Sequence, residues 1–120
     1  MVQTNLVMFG WNRAIPGREG MAAELFAHTI GFFEKLKSTN NLESYEPVFL
    51  NRHGGDLNGF FLLKGSHVQI DTLLSSDEFV DITMRAEQYL NGIGIITGYH
   101  GTAVPELMNR WTKTIPTPTR

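Results

Sequence analysis

The sequence predicts an α+β protein of the ferredoxin-like class, with a βαββαβ order, an antiparallel sheet and an extra C-terminal helix. Three observations predict it. Short runs of strand formers and longer runs with three-and-four apolar spacing follow one another in that order. Pro47 falls inside the second strand run, and proline cannot donate to a ladder, so that strand belongs at a sheet edge, where the split βαβ arrangement puts it. The strand runs are also apolar on both faces, which one layer of helices cannot cover.

Residues 5–11, NLVMFGW, form the first strand, and NRAIPG ends it. The first helix is expected from about Arg18 to Lys37. Ala22, Leu25, Phe26, Thr29, Phe32, Phe33 and Leu36 make its apolar stripe, Glu19 and Glu24 sit near its positive end, and Lys35 and Lys37 near its negative end. Gly31 inside it weakens it by about 1 kcal/mol against Ala, which close packing on a strand would explain. The second strand is expected over about 43–52, with Tyr45, Pro47 and Phe49 on one face and Ser44, Glu46, Val48 and Leu50 on the other. HGGDLN turns the chain into the third strand, about 59–64. Ser66 with Gln69 and Ser75 with Glu78 fit capping boxes, giving helices at about 67–74 and 77–90. The longer one buries Phe79, Ile82, Ala86 and Tyr89 or Leu90, and Asn91-Gly92 is read as its C-cap. A fourth strand over about 93–100 and a last helix over about 103–112, carrying Val104, Leu107, Met108 and Trp111, complete the order. The tail IPTPTR is read as extended. The expected organisation is a single domain over 1–120, its core about 3–101, with helix and tail over 102–120.

With 120 residues, 42% hydrophobic and 18% charged, the chain is long enough for one real core. A net charge of −2 and ten scattered Lys and Arg exclude the basic stripe of a nucleic-acid binder. There is no cysteine, so disulfides and thiolate chemistry are out, and a cytoplasmic location is expected. MVQTNLVMFGW lacks the basic region of a signal peptide, and no apolar run reaches the roughly 20 residues of a membrane span.

Both faces of the strands carry large apolar side chains: Leu6 and Met8 against Val7, Phe9 and Trp11; Phe60 and Leu62 against Phe61 and Leu63; Ile93 and Ile95 against Ile96. Leaving about 500 Å² of such surface wet would forgo on the order of 10 kcal/mol at about 25 cal/mol per Å². A homodimer packed through the sheet face removes it. The alternative is that the terminal helix folds back over that face.

The strand order, the two-faced sheet and SSDEF opening the second main helix resemble the dimeric α+β barrel superfamily over about residues 3–101, which includes antibiotic-biosynthesis-type monooxygenases, muconolactone-isomerase-like and YCII-like proteins. GWNRAIPGRE and HGGDLNGFFLL resemble an uncharacterised bacterial group within it. The resemblance implies a ligand cleft between sheet and helices, along the first strand and first helix, for a small apolar or aromatic organic molecule. It implies no particular catalytic residue. No cofactor is expected.

The candidate site residues each have two readings. His100, beside Tyr99 at the end of the fourth strand, and His28, at the border of the first helix's stripe, could reach a cleft and carry a proton; each could equally be a partly exposed histidine with a backbone or water partner. Trp11 could floor an aromatic site, with Phe26 and Tyr99 near it, while Arg13 holds a carboxylate; Trp11 could equally sit in the dimer core and Arg13 in a solvated loop. Glu46 is either a buried base or a charge guarding an edge strand. HGGDLNG has the residue types of a turn; as an oxyanion loop it would need a G-x-S-x-G elbow, and none of the five serines lies in one. GIGIITG runs from a helix into a strand, the reverse of a pyrophosphate cradle. The four histidines show no zinc spacing. Three functions stay open: a small-molecule binder, a cofactor-independent monooxygenase- or isomerase-type enzyme, and a structural or regulatory dimer.

Overall fold

A computed structural model of the chain describes residues 2–117. Its elements are β1 (Leu6–Trp11), β2 (Arg13–Ala14), α1 (Glu19–Ser38), β3 (Ser44–Phe49), β4 (Gly59–Lys64), α2 (His67–Ser75), α3 (Asp77–Tyr89), β5 (Leu90–Asn91), β6 (Gly94–Gly98) and α4 (Ala103–Lys113). The tail was expected to be extended, and its residues 118–120 lie outside the described residues.

The main sheet has the order β3-β4-β1-β6, antiparallel throughout, so the Pro47 strand is an edge. This is the ferredoxin-like order. Pairing of Val7 with Leu63 and of Phe9 with Phe61 puts the odd-numbered side chains of β1 and β4 on one face. There they meet Leu25, Phe32 and Phe33 of α1, and Phe79, Ile82 and Ala86 of α3, in one buried cluster. The two helices meet the sheet on the stripes their spacing predicts, because only those positions recur on one side of a 3.6-residue turn.

Several local expectations are corrected. Ser66 and Gln69 make both bonds of a capping box: Gln69 N–H donates to Ser66 Oγ at 3.1 Å, and Ser66 N–H to Gln69 Oε1 at 2.9 Å. The cap of α3, however, is Ser76 rather than Ser75, accepting from Phe79 N–H at 3.3 Å. Asn91-Gly92 is not a helix cap. Leu90 and Asn91 are extended and pair with Ala14 and Arg13, and Gly92, at φ 69°, turns the chain beyond them. β3 ends at Phe49 and β6 at Gly98, short of the predicted 52 and 100. A Cβ on Gly31 would meet nothing within 4 Å, so close packing does not account for that glycine.

The opposite sheet face carries Leu6, Met8, Val48, Phe60, Leu62 and Ile96, none of them buried. Glu46 is exposed on the same face of the edge strand. The terminal helix does not bury it: Ile96 is 53% exposed on that face, and Val104, Met108 and Trp111 of α4 are themselves exposed.

Candidate functional site

A cavity of about 340 Å³ opens between the sheet and the helices. Small side chains in its helical wall make room for it. Ala22, Ala23 and Ala86 leave room opposite Phe9, Trp11, Phe61 and Phe49 on the strands. Ala14 and Leu90 close one end, held together by the β2–β5 pairing. Backbone bonds flank that pairing, from Asn12 N–H to Asn91 O at 2.8 Å and from Ile15 N–H to Tyr89 O at 2.8 Å. The Arg18 guanidinium donates to the Gln88 carbonyl and ties the start of α1 to the end of α3.

Aromatic rings give the cavity its character. Phe26 stacks on Phe61 with centroids 5.1 Å apart and on Phe49 at 5.3 Å. Trp11 stands edge-on to Phe26 at 6.2 Å, a geometry the ring quadrupoles favour. The Trp11 ring lies against its cross-strand partner Gly59, where an added Cβ would come within 2.7 Å of Cζ2. Glycine there is what lets the indole lie flat over the strand. Phe49 is 69% exposed although it belongs to this aromatic group, so it forms a rim that water still reaches.

The lining contains no acid, no base and no histidine. Its side-chain polar groups are the Thr29 hydroxyl and the Trp11 indole. The hydroxyl is spent on the Leu25 carbonyl at 2.7 Å, and the indole N–H has no hydrogen-bond partner among the described residues.

The structure therefore separates the residues singled out from the sequence. Trp11 and Phe26 share the cavity wall. Arg13 lies in a second, polar hollow of about 440 Å³ with Asn12, Arg52, His53, Asp56 and Asn58. The two hollows are lined by chain neighbours, Trp11 and Asn12 at one point and Phe49 and Leu50 at another. Arg13 and Arg52 have no ion-pair partner among the described residues. Asp56 is the one carboxylate in that lining. Asn58 Nδ2 donates to Asn12 Oδ1 at 2.6 Å, joining the HGGDLNG loop to the end of β1.

His28 is on an outer surface, half-exposed, 3.8 Å from Glu78 Oε1. Tyr99 is exposed and His100 half-buried beyond β6, and neither lines the cavity. The His100 backbone is gripped by Asn5, whose Nδ2 donates to His100 O at 3.2 Å and whose Oδ1 accepts from His100 N–H at 2.9 Å. Its ring Nε2 is buried with no hydrogen-bond partner among the described residues. His53 spends both ring nitrogens on its own loop. Gly55 N–H donates to Nδ1 at 3.3 Å, so the hydrogen sits on Nε2, which donates to Leu57 O at 2.8 Å. With Gly54 at φ 81°, this is a stapled turn.

Sequence reasoning missed Phe49, Phe61, Ala22, Ala86 and the Ala14–Leu90 closure as parts of one site. The usable signal was the alanines at helix positions that face the sheet.

Among the described residues, no helix is long and apolar enough to cross a membrane, and no three metal-binding side chains come together. No protein-family model matches the chain, and no curated protein matches it in sequence. Solved structures share its fold. A dimeric protein of unknown function with a ferredoxin-like fold from Bacteroides fragilis is 9% identical over 79% of this chain and 95% of its own, with a TM-score of 0.55. A protein from Pseudomonas aeruginosa is 17% identical over 85% of this chain and 99% of its own, at 0.54. A protein of unknown function from Nitrosomonas europaea is 15% identical over 85% and 96%, at 0.51. The chain is thus similar in fold to a ferredoxin-like protein of unknown function and to two further bacterial proteins, in keeping with the group its sequence resembles.

Proposed function

We propose that the chain binds a small aromatic organic molecule in the cavity between sheet and helices, with Trp11 and Phe26 against its rings and Arg13 holding an acidic group at the polar edge, and that it does so as a homodimer packed through the open sheet faces. The observation that carries the binding reading is a cavity of about 340 Å³ walled by aromatic rings and alanines with no charged side chain in its lining. Pockets for small ligands begin near that size, about 300 Å³, and are mostly apolar with a few polar anchors. The dimer reading is supported by the apolar sheet face, none of whose large side chains is buried, and by a fold neighbour described as dimeric. A proton-transfer reaction with His100 or His28 as carrier has no observation of its own, since both rings lie outside the lining.

The test is a titration of Trp111→Phe, which leaves Trp11 as the single tryptophan, with a panel of aromatic carboxylic acids and their neutral amides, following Trp11 fluorescence. Saturable quenching is expected. Ala22→Phe, which fills the cavity, should abolish it, and Arg13→Ala should weaken the acids by about tenfold while leaving the amides unchanged, the scale of one charge-assisted contact. No saturable response from any compound, or a response that survives Ala22→Phe in a folded variant, rejects the cavity as the site.

A further inference from the structure

We propose that α4 is an exchanged arm, whose apolar stripe seats on a second copy of this chain. This rests on the dimer reading above and adds the element that completes the contact.

The stripe is Val104, Leu107, Met108 and Trp111, spaced three and four apart on one side of the helix. Glu106, Asn109, Arg110 and Lys113 occupy the other side. Met108 is 51% and Trp111 57% exposed, and only Ala103 at the root is buried. An 11-residue helix is marginal in water without a surface to pack on. Its own chain covers little of that stripe among the described residues, since Val104, Met108 and Trp111 stay 44–57% exposed and only Leu107 is half-buried. The molecule is correspondingly drawn out to 62 Å, with a radius of gyration of 17.1 Å where a compact chain of this length has about 14 Å. The arm's root is held. Asn5 clamps the His100 backbone from both sides, and Gly101 at φ 64° sets the turn that starts α4. The root is thus fixed while the stripe beyond it stays exposed.

Area identifies the occupant. Four strands about 4.8 Å apart and about 20 Å long present an open face of roughly 400 Å². That footprint is what each copy brings to a contact between two sheet faces. A helix about 16 Å long and 10 Å wide covers about 160 Å². In a two-fold pair each copy both gives and receives one, which adds about 320 Å² of footprint per copy and nearly doubles the contact. A second copy is the partner that supplies an equal addition in return, because a two-fold contact buries the same surfaces on both sides.

The experiment uses the full chain. Trp11→Phe leaves Trp111 as the single tryptophan, since the sequence has two. Acrylamide quenching of Trp111 is measured beside light scattering on the same sample, and the assembly state of Met108→Asp/Trp111→Asp is followed by sedimentation. Expected are a dimer, a Trp111 quenching constant at least threefold below that of free indole, and a dimer dissociation constant raised at least 100-fold by the double substitution. A 13.5 kDa particle in the scattering removes the dimer and the arm together. A dimer with freely quenched Trp111, or one indifferent to the double substitution, removes the arm alone. A monomer with shielded Trp111 means the helix lies on its own copy, which also overturns the proposal. The double substitution lies on an exposed helix outside the core, so it reports on assembly even if Trp11→Phe perturbs the fold.

Discussion

At the scale of single residues, the chain uses its polar groups to hold backbone in place. His53 spends both ring nitrogens on one turn, and Asn5 spends its amide on the His100 backbone. Tyr45 is a case with a measurable consequence. Its hydroxyl donates to Glu34 Oε2 at 2.6 Å, and this hydrogen bond, with some desolvation and the carboxylate's charge, raises its pKa above the ordinary 10.0. A raised pKa in the folded state means the contact adds stability at pH values below the unfolded tyrosine's pKa, and that contribution is lost as the pH rises through the folded value. Absorbance titration near 295 nm, compared between the natural chain and Tyr45→Phe, should therefore assign Tyr45 a midpoint above 10.0, and Glu34→Gln should lower it. A Tyr45 midpoint unaffected by Glu34→Gln would show that the hydrogen bond does not set it. The two readings of Trp11 are also separated at this scale. The ring lies on the helix side of the sheet, against Gly59, and so belongs to the cavity and not to the face free for a partner.

At the scale of elements, periodicity and capping chemistry decide most of what forms. α1 buries Leu25, Thr29, Phe32 and Phe33 because those positions share one side of the helix. Gly31 lies on the other side, exposed, with no neighbour for a side chain to strike and no positive φ to favour glycine. Gly31→Ala should accordingly stabilise the protein by about 0.5–1 kcal/mol through helix propensity and a less disordered unfolded chain. Urea unfolding measures it, and no gain would mean Gly31 is held by something outside the isolated subunit. α3 shows where local rules fall short. Its pattern runs on to Leu90, but Leu90 and Asn91 leave the helix to pair with Ala14 and Arg13. A backbone ladder with a strand nearly eighty residues away overrides the helical spacing there.

For the whole molecule, the question is what covers the apolar surface that one subunit leaves open. Leu62, at the centre of β4 on the open face, is the most direct probe. Leu62→Lys should weaken self-association by at least tenfold, since a buried interface would have to desolvate an unpaired charge, and should leave the helix-side cavity's response to aromatic acids intact. Sedimentation and the Trp11 titration on the same variant check both halves, and unchanged association would rule out the sheet face as the contact. Much of the fold is legible in the sequence: the βαββαβ order, the edge position of the Pro47 strand, the Ser66 cap and the α1 and α3 stripes all rest on neighbours within a few residues, where steric and hydrogen-bonding preferences act directly. The cavity is not legible in that way. Its volume is what remains when alanines of α1 and α3 meet rings from three strands, and its closure depends on the Ala14–Leu90 pairing. Nor is the placement of α4: its stripe is plain from spacing alone, but the Asn5 clamp and the Gly101 turn fix where the helix starts, and the stripe stays exposed beyond them. Sequence determined which surfaces are apolar, because that follows from period and composition. Tertiary structure decided which of them stay uncovered, because that depends on where distant segments come to lie.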